Sequence, residues 1–224
     1  MVTGMIELDG ETIGYEARED SAATRPGILV FHEIVGVVDY LKGVTRNLAE
    51  NGYLGLAVDL YEGKTAKGFE DGRFLREKVT DEVFKAKTEA GLRHLKSNPY
   101  CTGRIGVLGF CLGGGLALTA ACLFPEDIHA CSVFYGKIEN PELLKNLRAP
   151  VWGNFGGEDP RITDWVLKEF QPAMKKLGKQ FDFKVYPGAK HAFHNPTIPA
   201  WHHPEAAKDA WLQTLEFFSR RLRV

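Results

Sequence analysis

Cysteine is scarce in this 224-residue chain, which has only four. Cys101, Cys111, Cys122 and Cys131 show no Cys-x-x-Cys spacing. That spacing is typical of zinc sites and redox dithiols, and a high cysteine density is typical of small secreted scaffolds. The sequence therefore argues against a metal site and against a disulfide scaffold, and it predicts reduced thiols.

The chain also lacks an excess of either charge and lacks a long apolar run. It has 28 basic and 29 acidic residues, for a formal net charge of −1. This balance gives no reason to expect a nucleic-acid partner. Residues 1–18 lack the charged-then-apolar pattern of a signal peptide, and no apolar run reaches membrane-spanning length. We therefore expect a cytoplasmic protein without a membrane partner, either a monomer or a dimer.

Internal repeats and low-complexity segments are absent as well. Hydrophobic residues make up 44% of the sequence, which is enough for one sizeable core, and we expect a single α/β domain over residues 1–224. Buried-strand patterns alternate with helical ones, which predicts an α/β fold: a mostly parallel sheet with helices on both faces. In such sheets the reacting groups gather at the carboxyl ends of the strands.

The predicted elements follow one another at short spacing. Apolar runs predict strands at 28–31, 54–58, 105–108, 130–134, 151–155 and 181–186. Helical patterns occupy 38–51, 73–97 with a break near Thr80, 116–121, 141–147, 162–177 and 205–222. Residues 5–8 and 12–17 read as an edge hairpin with Asp9-Gly10 as its turn, residues 25–27 as a chain break, and residues 62–72 as a surface loop.

The segment Gly109-Phe110-Cys111-Leu112-Gly113 is the centre of the sequence argument. It lies between a buried strand and a small-residue helix and matches the nucleophile-elbow pattern G-x-S-x-G with cysteine in place of serine. In an elbow the nucleophile is exposed above the sheet, and the amide groups of the next helix favour negative charge near it. The alternative is a buried cysteine that only packs in the core.

Asp159 and His191 each stand where a predicted strand gives way to a loop. With Cys111 they follow the order nucleophile, acid, base, which is the order of α/β-hydrolases. A histidine near its usual pKa of about 6.5 can take a proton from sulfur, and the aspartate can fix its tautomer. Alone, Asp159 could equally be a helix N-cap before Pro160, and His191 a solvated loop residue.

Glu33 follows the first buried strand, on the loop that approaches the nucleophile in this fold. It is either a solvated carboxylate or a group that controls the charge of the thiol. The N–H groups of Ile34 and Leu112 form the expected oxyanion hole, because one lies on that loop and the other follows the nucleophile.

Four blocks of the chain resemble the dienelactone hydrolase family, which has the α/β-hydrolase fold and a Cys-Asp-His triad. The blocks are Phe31–Gly36, Gly109–Gly114, Gly157–Pro160 and Gly188–Phe193. The resemblance implies a carboxylic ester or lactone hydrolase that needs no cofactor, with Cys111 as nucleophile, His191 as base and Asp159 as orienting acid. It also implies that Glu33 contacts the thiol in the resting enzyme.

The chain departs from this family at the substrate carboxylate. Dienelactone hydrolases hold that group with arginines, one of them shortly after the catalytic histidine, whereas residues 192–195 contain none. Arg76 or Arg73 is a candidate for a second arginine, or is simply an exposed helix residue. Tyr135 and Phe193 are candidate pocket residues, and the alternative for such aromatics is core packing.

Two other functions remain open from the sequence. Cys111 could belong to a redox protein that forms a sulfenic acid, although no adjacent cysteine could resolve it. The chain could also be a binding module that keeps the fold without catalysis. A zinc site on His191 and His194, with His202 and His203 following, would need a third well-placed ligand, and His191 is already assigned to the triad.

Overall fold

A computed structural model describes residues 1–8 and 10–223, so Asp9 of the predicted turn lies outside the described residues. Within the described residues, eight strands form one sheet with the order β1-β2-β4-β3-β5-β6-β7-β8. The strands β1 to β8 are Val2–Leu8, Glu11–Arg18, Arg25–Phe31, Leu54–Val58, Cys101–Phe110, Ile128–Phe134, Val151–Gly156 and Phe181–Tyr186. Strands β1 and β2 pair antiparallel, β2 pairs antiparallel with β4, and the remaining pairs are parallel.

Helices cover both faces of the sheet, as the alternating pattern predicts. Helices α1 to α7 are Asp39–Glu50, Phe69–Arg76, Asp81–Ser97, Leu112–Leu123, Pro160–Trp165, Gln171–Lys176 and Pro204–Leu222. A five-residue π-helix joins α5 to α6, and a 3-10 helix covers Pro141–Asn146. One core cluster packs under α1 and α7, and the other packs under α3, α4 and α5. Among the described helices, none has the length and apolar character needed to cross a bilayer.

Two elements begin inside segments that the sequence predicted to be irregular. Helix α2 begins at Phe69, inside the predicted loop 62–72, because Glu70 and Asp71 in its first turn favour a helix N-terminus and its Gly72 is buried against Ile34. Strand β3 begins at Arg25, inside the predicted break.

The proline next to Arg25 is tolerated because the register between β3 and β5 shifts between Arg25 and Gly27. The predicted helix break near Thr80 is confirmed, since the Thr80 hydroxyl accepts a hydrogen bond from the Val83 amide and caps α3.

The parallel strands bring their carboxyl ends to one edge of the sheet. Strands β5, β7 and β8 therefore present the residues that follow them along the same edge. These residues include Cys111, Asp159 and His191.

Candidate active site

Cys111 stands on the sharp turn between β5 and α4. Its backbone has φ 55° and ψ −118°, a conformation that residues other than glycine rarely adopt. The turn leaves no room beside it: a Cβ on Gly109 would lie 1.9 Å from the Gly113 carbonyl oxygen, and one on Gly113 would lie 2.2 Å from the Phe31 oxygen. The Cys111 amide donates to the Phe134 carbonyl at 3.0 Å, which fixes the turn against β6.

Backbone strain is concentrated around this turn. Of the four described residues other than glycine with positive φ, three are Cys111, Tyr135 and Ala192, and they follow β5, β6 and His191. Strained conformations persist only where the surrounding structure enforces them, and they cluster at functional sites. The turn therefore holds Cys111 partly exposed, and it is not sealed in the core.

A continuous hydrogen-bond chain joins the thiol to a buried carboxylate. The Cys111 Sγ lies 3.1 Å from His191 Nε2, and His191 Nδ1 lies 2.5 Å from Asp159 Oδ2. The Asp159 side chain is 6% exposed, whereas the His191 ring keeps 21% of its surface open. Asp159 thus fixes the ring through Nδ1, and Nε2 faces the sulfur.

The geometry rules out the helix-cap alternative for Asp159. Although this residue occupies the N-cap position of α5, its side chain makes no capping hydrogen bond and is directed to His191. Helix α5 starts instead with Pro160, whose fixed φ suits the first helical position, and the Thr163 hydroxyl donates to the Gly156 carbonyl at 2.7 Å.

The imidazole of His191 is strongly biased toward its protonated form. Burial lowers the pKa of His191, but hydrogen bonds and negative charge from Asp159 and Cys111 outweigh burial and raise this pKa to about 10. A protonated ring within hydrogen-bond distance of the sulfur stabilises negative charge there.

Glu33 is buried, at 6% exposure. Its hydrogen-bond partner is Asn195, and not the thiol that the resemblance implied. Its Oε2 accepts a hydrogen bond from Asn195 Nδ2 at 2.6 Å, while the thiol of Cys111 bonds to His191. Within the described residues no hydrogen bond joins Glu33 to Cys111, so the contact that the resemblance implied is not made in this structure. The Cys111 thiol bonds to His191 instead, and Asn195 engages only one of the two Glu33 oxygens.

Burial raises the pKa of Glu33, and the hydrogen bond from Asn195 and the charge of His191 offset this only in part. Its second oxygen, Oε1, is buried without a hydrogen-bond partner. The carboxyl therefore lies in surroundings that penalise its charge, close enough to His191 for the two charges to interact.

The two amides expected to bind an oxyanion are both available. Leu112 is the first residue of α4, where N–H groups have no partner within the helix. In the described part of the chain, neither the Ile34 amide nor the Leu112 amide donates a hydrogen bond. Ile34 lies in the turn Glu33–Gly36. A 3.2 Å hydrogen bond from the Gly36 amide to the Glu33 carbonyl closes this turn.

The model of the dienelactone hydrolase family matches residues 13–222. The chain belongs to the dienelactone hydrolase family. A Methylorubrum extorquens protein provisionally named a carboxymethylenebutenolidase is 31% identical, with 97% of this chain and 81% of that protein covered. A similarly named protein of Saccharolobus solfataricus is 32% identical, with 86% and 88% covered.

Solved structures agree with this family membership. A crystal structure provisionally named a dienelactone hydrolase, from Klebsiella pneumoniae, superposes with a TM-score of 0.87 at 28% identity, with 98% of both chains covered. The fold is therefore that of the α/β-hydrolases, as predicted, and the family is one of hydrolases.

Arg76, the candidate residue for binding a substrate carboxylate, is the last residue of α2 and lies close to the site. It donates to the Val79 carbonyl at 2.7 Å and to Glu139 at 3.3 Å, and its Nε is buried without a partner. A cavity of about 530 Å³ extends from Leu112 along α4 to Arg76. Within the described residues the Arg73 side chain, by contrast, forms only an exposed ion pair, with Glu70.

Tyr135 and Phe193, which the sequence suggested as pocket residues, do not line an open pocket in the structure. Both side chains are fully buried, and their ring centroids lie 5.4 Å apart. Phe193 packs in the core against Phe134 and Tyr186, so it cannot line an open pocket in this conformation. Tyr135 lies directly beside His191, with 5.2 Å between ring centroids, and supports the imidazole from within.

Two residues that the sequence did not single out, Tyr61 and Asn195, also belong to the site. The buried Tyr61 hydroxyl has no hydrogen-bond partner, and burial together with the charge of Cys111, partly offset by Arg76, raises the pKa of Tyr61 to about 12. Its position after β4 was the available signal. Trp201 is 44% exposed and lies edge-on to His191 at 6.4 Å.

The histidines of the 191–203 segment have separate partners. His194 Nδ1 lies 2.7 Å from the Tyr40 hydroxyl, His202 Nδ1 lies 3.0 Å from the Phe193 carbonyl, and His203 accepts from the Ala206 amide. In the parts of the chain that the structure describes, no three metal-binding side chains come together.

Proposed function

We propose that this protein hydrolyses carboxylic esters or lactones with Cys111 as nucleophile, through a thioester intermediate. The observation that supports this most strongly is the hydrogen-bond chain from the Cys111 sulfur through His191 to Asp159, with lengths of 3.1 and 2.5 Å. Its three members follow three different strands, and their hydrogen bonds have the geometry that a nucleophile, a base and an orienting acid require.

In the first half-reaction the Cys111 sulfur attacks the substrate carbonyl carbon. The carbonyl oxygen takes up negative charge, and the amides of Ile34 and Leu112 donate hydrogen bonds to it. When the carbon–oxygen bond to the leaving group breaks, His191 Nε2 gives its proton to the departing alkoxide. The products are a thioester on Cys111 and a free alcohol, or one ring-opened acyl group if the substrate is a lactone.

In the second half-reaction water regenerates the enzyme. His191, now neutral, takes a proton from a water molecule, and the oxygen attacks the thioester carbonyl. The carbon–sulfur bond breaks, the carboxylic acid leaves, and the sulfur and imidazolium return to their starting states. Asp159 holds the tautomer and stabilises the imidazolium formed in each cycle.

The substrate is a small molecule, and the cavity beside α4 meets the elbow at Leu112, the residue after Cys111. Arg76 lines the same cavity, and its guanidinium would bind a substrate carboxylate in competition with Glu139. Asn195, on the segment after the histidine, binds Glu33 instead of supplying a second cation. We therefore expect a site that accepts monocarboxylated lactones and neutral activated esters.

Replacement of Cys111 tests the nucleophile. Turnover of a chromogenic short-chain ester should disappear in Cys111→Ala and persist in Cys101→Ala, which removes a thiol at the opposite end of β5. Rapid quenching of the unaltered enzyme should give a peptide containing Cys111 that carries the acyl mass. Full turnover in Cys111→Ala would remove the basis of the proposal.

A substrate panel tests the role of Arg76. Arg76→Ala should raise the KM for a carboxylated lactone while the KM for a neutral aryl ester stays unchanged, and Arg73→Ala serves as the matched control. An equal effect on both substrates would mean that Arg76 only supports the fold.

The redox alternative gains no support from the other thiols. Burial raises the pKa of Cys101 and Cys131 and raises that of Cys122 to about 12, so none is poised to resolve an oxidised Cys111. A stable Cys111 disulfide after mild peroxide, together with no ester turnover, would favour that alternative.

A further inference from the structure

The amino-terminal edge of the sheet, opposite Cys111, carries a cavity of about 610 Å³. Among the described residues, five arginine or lysine side chains and no acidic side chain line it, although the whole chain has one more acidic than basic residue. Besides short apolar residues, Gly178 and Gln180, the lining consists of Arg104, His129, Arg148, Lys179, Arg220 and Arg221.

This cavity is separate from the candidate active site. Arg104 lies near the start of β5, and Cys111 directly follows the end of the same strand. Seven residue steps of largely extended chain, at about 3.3 Å each, place Arg104 roughly 23 Å from Cys111. A ligand bound here would not touch the sulfur.

Two of the cations are fixed in place by backbone carbonyls. Lys179 Nζ donates to the Lys145 and Leu147 carbonyls at 2.9 and 2.7 Å, which leaves one of its three N–H groups for another acceptor. An Arg104 terminal nitrogen donates to the Arg221 carbonyl at 2.9 Å, while its Nε is buried without a partner. These contacts hold positive charge at the cavity without neutralising it.

The cations at the rim are only weakly engaged. Arg148 pairs with Glu126 and Arg220 pairs with Glu216, but the two arginine side chains are 65% and 61% exposed. Exposed ion pairs of this kind contribute little to stability, so either arginine can turn toward a more strongly charged anion. Arginine is suited to such a partner because its planar donors match carboxylate and phosphate oxygens.

We propose that this cavity binds a small molecule that carries two or more closely spaced oxyanion groups, such as a polyphosphate or a polycarboxylate. Its volume is in the usual range for small-molecule sites, about 300–1,000 Å³. The proposal does not rest on the hydrolase function.

Calorimetric titration with inorganic pyrophosphate, ATP and citrate at low ionic strength tests the site. We expect saturable binding of at least one of them, weakened at least about tenfold in Arg148→Glu and in Arg221→Glu. The matched control is Lys168→Glu, which makes the same charge change at an exposed ion-paired cation elsewhere and should leave the affinity unchanged. Comparing pyrophosphate with citrate distinguishes phosphate from carboxylate ligands.

A second measurement uses the unaltered protein and does not depend on the variants. Pyrophosphate should shift the backbone amide resonances of Ala149 and of residues 178–180, and should leave those of residues 111–114 unchanged. The proposal is overturned if none of the three anions binds, if Arg148→Glu and Arg221→Glu bind as well as the unaltered protein, or if Lys168→Glu weakens binding equally. Binding of duplex DNA alone would also overturn it.

Discussion

The ionisation of His191 offers the most direct test of the proposed thiol chemistry. At a pKa of about 10 the imidazole is protonated at neutral pH, and the charge of Cys111 contributes to that value. Replacing Cys111 with alanine removes this charge and the hydrogen bond from Nε2. The pKa of His191 should therefore fall.

The separation between the two groups sets the size of the effect. Opposite unit charges 3.1 Å apart attract by about 1.3 kcal/mol at the dielectric constant of water and about 5 kcal/mol at an effective value near 20. One pKa unit corresponds to about 1.4 kcal/mol, so the pKa of His191 should fall by at least about one unit in Cys111→Ala.

Nitrogen-15 NMR of labelled histidine, recorded across the pH range, measures this directly. Cys101→Ala is the control, because that thiol lies at the other end of β5 and should leave the titration of His191 unaltered. An unchanged titration in Cys111→Ala would mean that the sulfur is uncharged beside the ring, and the thiolate–imidazolium pair would have to be abandoned.

The same pKa predicts how stability depends on pH. The pKa of His191 in the folded protein lies above its usual 6.5, so its contribution to the free energy of unfolding is complete below about pH 6.5. That contribution is lost as the pH rises through about 10. Chemical denaturation at pH 6 and at pH 10 should show a smaller difference in Cys111→Ala than in the unaltered protein, and an equal difference would contradict the coupling.

Three further substitutions test the site's construction. Asp159→Asn should lower kcat for ester hydrolysis by roughly 10²- to 10⁴-fold while the circular dichroism stays unchanged, because the imidazole loses its orienting charge; retained turnover would exclude the triad. Asn195→Ala should lower the free energy of unfolding by about 1–3 kcal/mol, since it leaves a buried Glu33 oxygen unpaired; an unchanged denaturation midpoint would show that water replaces the amide. Gly113→Ala should prevent folding or abolish activity, since its Cβ would lie 2.2 Å from the Phe31 oxygen, and a stable, active variant would contradict the tight elbow.

Local patterns in the sequence were sufficient to predict most of the fold. Strand Leu54–Val58 was predicted with its observed bounds because a short apolar run between Asn-Gly-Tyr and Asp has few other interpretations. The first half of helix α2 was predicted as a loop because it holds a glycine and several charges, and the burial of Gly72 depends on the distant Ile34 carbonyl. The helix propensities of the residues in α2 contain no information about a contact with Ile34.

The candidate site was predictable where chemistry follows strand ends. Cys111, Asp159 and His191 each had a local signal, and their order along the chain linked them. The partner of Glu33 could not be predicted, since Asn195 lies 162 residues away in sequence and only the folded chain brings them together. The burial of Phe193 was likewise unpredictable, because an aromatic residue after a catalytic loop suits a pocket and a core equally well.

The way α5 begins has a consequence for the carboxylate that precedes it. A helix that relied on Asp159 for its first turn would compete with the imidazole for the same two oxygens. Proline in the first position and a threonine hydroxyl tied to β7 give that helix its start by other means. Asp159 can therefore stand at a helix end and still serve His191, which means that substitutions at Pro160 or Thr163, distant from any substrate, should alter proton transfer at the sulfur.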